Sequence, residues 1–341
     1  MTENIIARRT LLGAGALALA MPPSKADAAL IPHPMSVKHF GAVGNGSADD
    51  TNALQRAVNW TAAASRGTLF FPVGTYKITA PITFETPTLH ICFLGEPGAL
   101  ITGDFPNALL RRSVNSPHGG VHVIENLRFI NSNPNGKGVM LHSCISAKIV
   151  NCQFGITGTA IETFNSQSIT VDTCAITGSK TGIVAGNATT VLNCDITGCT
   201  HGIRHHNLGL TVHGGRYEVN NIAIKVGYGP QDENFQTSGF DISGLSMEAN
   251  QIGIQVGAGA SGKISACAIT GGVSMDYGLY LGSPQDVLVA GVGVGGGYTG
   301  AGIRIINPTR TVLMGVGSRT WRLPDDRRQL TFFQCNEPPK P

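Results

Sequence analysis

Between residues 200 and 228 the chain concentrates groups that can bind an anion and move a proton. Thr200-His201-Gly202-Ile203-Arg204-His205-His206 is followed by His213, Arg216, Glu218, Lys225 and Tyr228, and four of the ten histidines fall here. Arg and Lys can neutralise a carboxylate, and His, Lys or Tyr can transfer protons. The catalytic candidates are therefore His201, Arg204 and Lys225, with Glu162, His205, His206, Arg216, Tyr228, Tyr280 and Arg304 as candidate binding residues. A facing pair of carboxyl groups is the other common device for bond cleavage. The candidate acids Glu162, Asp172, Asp195, Glu218, Glu248 and Asp276 are spread along the chain, and no close pair stands out. No compact group of acids, His or Cys suggests a metal site, and no cofactor motif is evident.

The element that must position these groups is a repeat. Cys152, Cys174, Cys194 and Cys267 head similar short runs, with weaker copies at Leu127, Gly215, Leu245 and Val292. The steps are 20 to 25 residues, with one of 30. A small residue followed by an apolar one keeps the same time: Gly138-Val139, Ala160-Ile161, Gly182-Ile183, Gly202-Ile203, Ala223-Ile224, Gly253-Ile254, Gly278-Leu279 and Gly302-Ile303. A self-similar period of this length means a solenoid. Val, Ile, Thr and Leu alternate with polar residues in short runs broken by Gly, Asn and Ser, so the units are strands and turns. The expected fold is all-β: a parallel β-helix of roughly nine or ten turns, each of three short strands. The residue after each small-apolar marker points outward: Glu162, Val184, Arg204, Lys225, Gln255, Tyr280 and Arg304. The 30-residue step places an extra loop around residues 228–234, able to wall a groove.

Composition agrees. The chain has 341 residues, 45 of them Gly, with aromatics at 6%. Stacked small and β-branched residues account for that profile. The net charge of +3 is modest and the basic residues are scattered, which excludes nucleic acid as a partner class. Apart from the N-terminus, no apolar run is long enough to span a bilayer.

Residues 1–28 read as an export signal. Arg8-Arg9 precedes an apolar run from Leu11 to Met21, and Ala26-Asp27-Ala28 offers a cleavage site. The paired arginines suggest the twin-arginine type. The mature chain, 29–341, is then one periplasmic or secreted domain, whose only protein partner indicated here is the export machinery. Eight cysteines in such a protein suggest disulfides. Cys152, Cys174, Cys194 and Cys267, however, share one inward position and are expected to stay reduced, as small apolar groups. Cys92, Cys144, Cys199 and Cys335 lie off that column, and their pairing is not readable.

Ahead of the repeat, Val37-Lys38-His39-Phe40-Gly41-Ala42-Val43-Gly44 leads into Asp49-Asp50-Thr51. Residues 52–64 then read as an amphipathic helix with Ala53, Leu54, Ala57, Val58 and Thr61 on one face, capped by Asp49 or Asp50. Phe71-Pro72-Val73-Gly74-Thr75-Tyr76 follows. Residues 37–82 closely resemble the opening of the pectate-lyase-like β-helix superfamily, which includes polygalacturonase-related hydrolases, polysaccharide lyases, epimerases and phage tailspikes. Beyond residue 82 the resemblance rests on the repeat. It implies a right-handed parallel β-helix; the helix is expected to cover the first turn's strand edges, and residues 317–341, where Trp321, Leu323, Phe332 and Phe333 are concentrated after the repeat stops, to cap the last. It further implies an acidic polysaccharide as partner and a monomer or trimer. Some pectate-lyase families use calcium held by outward carboxylates, but no acidic group here supports that.

Thr200-His201-Gly202-Ile203 is similar to the glycine-histidine-glycine motif of polygalacturonases. Ala223-Ile224-Lys225 is similar to their arginine-isoleucine-lysine motif, with Ala223 in the arginine's place. Lys180-Thr181-Gly182-Ile183 stands where their paired aspartates belong, so their hydrolytic carboxylates are missing. The expected activity is therefore β-elimination on a uronate-containing polysaccharide. Hydrolysis, epimerisation and tailspike-like binding without turnover are the alternatives.

Overall fold

Most of the short apolar runs form strands of three to five residues, and in the computed structural model they stack, with a few longer strands, into a parallel β-solenoid of about ten turns. The structure describes residues 34–63, 66–84, 90–205, 207–227, 239–272 and 275–336. The export signal, the end of the predicted helix at Ala64, His206, Tyr228 and the loop at 228–234 lie outside these residues. Pro34–Pro341 form one unit.

Each middle turn has three faces. The first is built from strands such as Thr159–Glu162, Thr181–Ala185, His201–His205, Ile222–Val226 and Ile252–Val256. The second contains Ile169–Asp172, Thr189–Leu192 and Leu210–His213, and the third Ala175–Thr177, Asp195–Thr197 and Arg216–Glu218. The strand pairings along these faces are parallel and join equivalent residues of successive turns. On the first face Val139, Ile161, Ile183, Ile203, Ile224, Ile254, Leu279 and Ile303 form one inward column, each with 0% exposure. The small residue beside each has a steric reason. A Cβ on Gly202 would lie 2.4 Å from the Ala223 carbonyl oxygen, so Gly202 leaves no room for a side chain.

The four aligned cysteines are buried, and all eight cysteines are free thiols. The hydrogen bond with Cys152 and burial push the Cys174 thiol well up, which makes this column chemically inert. At the corner before the column the chain turns through a left-handed residue in every middle turn: Asn151 at φ 50°, Thr173 at 52° and Asn193 at 49°. Asn accepts that region readily, whereas a β-branched residue is strained there. Asn151 Nδ2 donates to Asn126 Oδ1 at 2.7 Å, joining two successive turns at this corner. Thr173→Asn is therefore expected to raise stability by about 1 kcal/mol, a gain read as a higher urea midpoint.

The helix spans Thr51–Ala63, and its five predicted inward residues are all buried. The two aspartates divide the work. Asp49 Oδ1 accepts from the Thr51 amide at 3.0 Å. Asp50 is buried and turns back, its carboxylate accepting from the amides of Val43 (2.6 Å) and Gly44 (2.9 Å). Asp50 thus ties the Gly-Ala-Val-Gly stretch to the helix start.

At the other end the coil runs further than the sequence repeat. Trp321–Arg322 pairs with Ile303 and Arg304, and Leu330–Phe333 pairs with Thr311–Met314. The last strands are thus paired rungs as well as a cap. Trp321, Leu323 and Phe332 pack against the core end, Trp321 and Phe332 edge to face at 6.1 Å. Phe333 points outward and is exposed, so it takes no part in that closure.

Candidate functional site

Parallel register turns residues 20 to 30 apart in sequence into neighbours. Met140, Glu162, Val184, Arg204, Lys225, Gln255, Tyr280, Arg304 and Arg322 form one outward row along the first face. Glu162, Arg204, Lys225, Gln255, Tyr280 and Arg304 are each half-buried. Successive members sit about 4.8 Å apart, the spacing of hydrogen-bonded strands. The row has three chemically distinct groups.

The middle group is His201, Arg204 and Lys225. Within the strand His201–His205, Gly202 and Ile203 are both buried, which turns both His201 and Arg204 outward. Arg204 is registered with Lys225, and His201 with Ile222 of the same neighbouring strand. Burial, then the charges of Lys225, Arg204 and Lys180, lower the His201 pKa below 6.5. The imidazole is therefore neutral at neutral pH and free to accept a proton.

Two rungs toward the N-terminus the predicted Glu162 is paired with Lys137 and His142, which the sequence did not single out. Glu162 Oε2 is 2.7 Å from Lys137 Nζ, and its Oε1 is 2.6 Å from His142 Nε2. Burial raises the Glu162 pKa, but the hydrogen bonds of His142 and Lys137 outweigh it and the carboxyl lies below its ordinary value. Phe164 packs edge-on to His142 at 5.6 Å and is 47% exposed. Lys137 was legible through its place just before the Gly138-Val139 marker. His142 was not, because the long strand Lys137–Val150 passes a corner with irregular register beside it.

Toward the C-terminus, Tyr277, Tyr280 and Arg304 form the third group. Arg304 Nη1 donates to Tyr277 Oη at 2.5 Å, and its Cζ lies 5.3 Å and 5.6 Å from the two ring centroids.

Two candidate residues lie elsewhere. His205 is inside the coil with 0% exposure, its Nδ1 3.2 Å from the Ala185 carbonyl oxygen, so it cannot meet a ligand in the groove. Alternation puts Ile203 in, Arg204 out and His205 in. Arg216 belongs to the third face, where it approaches Asp195 (3.5 Å) and Glu218 (3.4 Å). His206 and Tyr228 lie outside the described residues.

The acids are divided among faces too. Asp172 is on the second face and Asp195 on the third, where Glu218 and Glu248 are registered one rung apart. Asp276 starts a strand five rungs from Glu162, about 24 Å at strand spacing. Among the described residues no cluster of three or more His, Cys, Asp or Glu suits a metal ion. An open depression of about 200 Å³ lies on the third face, lined by Arg128, Ile130, Gln153 and Thr177 among others, away from the outward row.

Residues 35–133 match the family model described as rhamnogalacturonase A/epimerase, pectate lyase-like. A 44-residue segment is 46% identical to mannuronan C5-epimerase AlgE3 of Azotobacter vinelandii, covering 13% of this chain and 2% of that protein. Among solved structures, the A-module of mannuronan C-5 epimerase AlgE4 from Azotobacter vinelandii superposes with a TM-score of 0.66 at 16% identity. The match covers 87% of this chain and 99% of that one. A family 28 exopolygalacturonase from Yersinia enterocolitica gives 0.55 at 12% identity, over 89% and 77% of the two chains. At these identities the structural matches establish a shared fold.

Proposed function

We propose, from the premise that this chain is a pectate-lyase-like parallel β-helix, that it is a polysaccharide-active enzyme that removes the C5 proton of a uronate residue. Arg204 and Lys225 hold the uronate carboxylate, and His201 takes the proton. The C5–H electrons move toward the carboxylate as the proton leaves, and the two cations stabilise that developing charge. The C4 oxygen then leaves, taking the proton back from the His201 imidazolium, which breaks the chain and leaves an unsaturated sugar. Return of a proton to the opposite face would instead give the C5 epimer.

The observation that carries this reading is a neutral, half-buried imidazole beside two cations on one face. The short segment that matches curated relatives is shared with proteins named mannuronan C5-epimerase and with one named alginate lyase. β-Elimination is our first reading, because a base and cations suffice for it. Two-carboxylate hydrolysis lacks support on the face that carries the cations: inverting enzymes need carboxyls about 6.5–9.5 Å apart and retaining ones about 5 Å, and the registered pair Glu218 and Glu248 stands on the third face. None of the other candidate acids stands that close to Glu162 on the first face. Export through the N-terminal segment would place the activity in the periplasm or outside the cell, where such polymers are met.

The test is incubation of the purified mature chain with a panel of acidic polysaccharides. Ultraviolet-absorbing unsaturated uronide and new reducing ends, rising together, are the expected result. A changed epimer ratio without chain breaks would keep C5 proton removal and replace elimination by epimerisation. New reducing ends with no unsaturated product would overturn the proposal in favour of hydrolysis.

A further inference from the structure

We propose that Gln255, Tyr277, Tyr280 and Arg304 form a second subsite on the first face, which grips an anionic sugar of the same polymer several residues from the reacting one. It rests on the polysaccharide reading above but concerns binding rather than chemistry. Three observations carry it.

The first is an unneutralised cation. Arg304 is half-buried against two tyrosine rings, and among the described residues no carboxylate pairs with it. Its only hydrogen bond in the described set goes to the Tyr277 hydroxyl. A guanidinium held this way keeps donors for an incoming carboxylate and has a planar fork suited to it.

The second is the flat aromatic surface. Tyr277 and Tyr280 have ring centroids 5.5 Å apart, and both rings are half-buried, with one side against protein. Tyr280 lies over Gly282, where an added Cβ would come within 2.8 Å of the ring. The ring is thus seated by its own strand. An aromatic face with a polar tip suits the mixed apolar and hydroxyl surface of a sugar ring.

The third is an orphan acceptor between the two cationic groups. Gln255 sits in the row between Lys225 and Tyr280, and its Oε1 is buried without a hydrogen-bond partner. Such an atom costs stability where it lies, and rotating the amide of the half-buried side chain toward the groove would let a sugar hydroxyl donate to it. Arg204 and Arg304 are four rungs apart, about 19 Å at strand spacing. One extended polymer can therefore engage both groups, and a short oligosaccharide cannot.

Tyr280→Ala and Arg304→Gln test this. Each is expected to raise KM for the polymer about tenfold, in the range of a lost aromatic or charged contact. Turnover number is unchanged, as is KM for the shortest oligosaccharides cleaved. Affinity electrophoresis in gels containing the polymer reads binding independently, and urea midpoints confirm that both variants fold. If the wild-type chain binds polymer and the folded variants bind it equally well, the subsite is wrong and the reaction stands. If the wild type binds without turnover and the variants lose binding, the subsite stands and the reaction is wrong. If KM rises equally for short and long substrates, these residues act at the reacting sugar and the second subsite is overturned.

Discussion

On the proposed reaction, replacing Lys225 or Arg204 by Ala is expected to lower turnover of the acidic polymer by roughly 10²–10³-fold, the usual effect of deleting one fixed group aimed at developing charge. The double replacement abolishes measurable product. His201 responds differently, through pH. Its pKa is held down by burial and by the charges of Lys225, Arg204 and Lys180, so the neutral, proton-accepting form persists below pH 6.5. The acid limb of kcat/KM therefore lies below pH 6.5. It reflects protonation of the base as pH falls through the folded-state pKa. In Lys225→Met one of the depressing charges is gone, and the limb moves upward toward the ordinary histidine value. Measured pH profiles of the two enzymes decide the matter. An unmoved limb removes His201 from the base role, and full turnover in both single Ala variants removes the whole assignment.

The second large effect concerns stability. Arg112 has 0% exposure, and its Nη1 donates to the carbonyl oxygens of His142 (2.8 Å) and Ser143 (2.7 Å). Ser143 is itself left-handed at φ 53°. Arg112→Ala deprives two interior carbonyls of this donor and leaves a void. It should cost roughly 3–5 kcal/mol, at about 1–3 kcal/mol per orphaned acceptor plus the cavity. Arg112→Met refills most of the space without the donors and separates the two contributions. Urea midpoints read both. A loss under about 1 kcal/mol in Arg112→Ala would show that the corner holds its own shape. The same substitution loosens His142 and so the contact it makes with Glu162.

The outward row was legible because register is dictated by the inward columns. Once Ile183, Ile203 and Ile224 must stack, the residues after them must stack too, and Val184, Arg204 and Lys225 follow. What the pattern hid was the face. Strands of all three faces alternate inside and outside alike, so Arg216 reads just as outward as Arg204 although it stands on the third face. His205 shows another limit: alternation puts it in the core, and only the polarity of its ring argues otherwise. The Lys137–His142–Glu162 group depends on a corner whose register shifts, and no local period predicts where that corner delivers a side chain. At the C-terminus Trp321 and Phe332 continue the columns of Ile303 and Leu313, but their bulk disguises them as something other than rungs.

One-to-one register also has an evolutionary consequence. Thr181 pairs with His201, so residues 181–200 are one complete turn whose two ends meet equivalent neighbours. A tandem duplication of that segment inserts a turn without disturbing any column above or below it. It adds one side chain to the outward row and moves the ion-paired group at Glu162 one step from the cations. Such a gene can therefore change the length of sugar chain it prefers by copying or deleting whole turns, while the reacting residues and the scaffold keep their sequence.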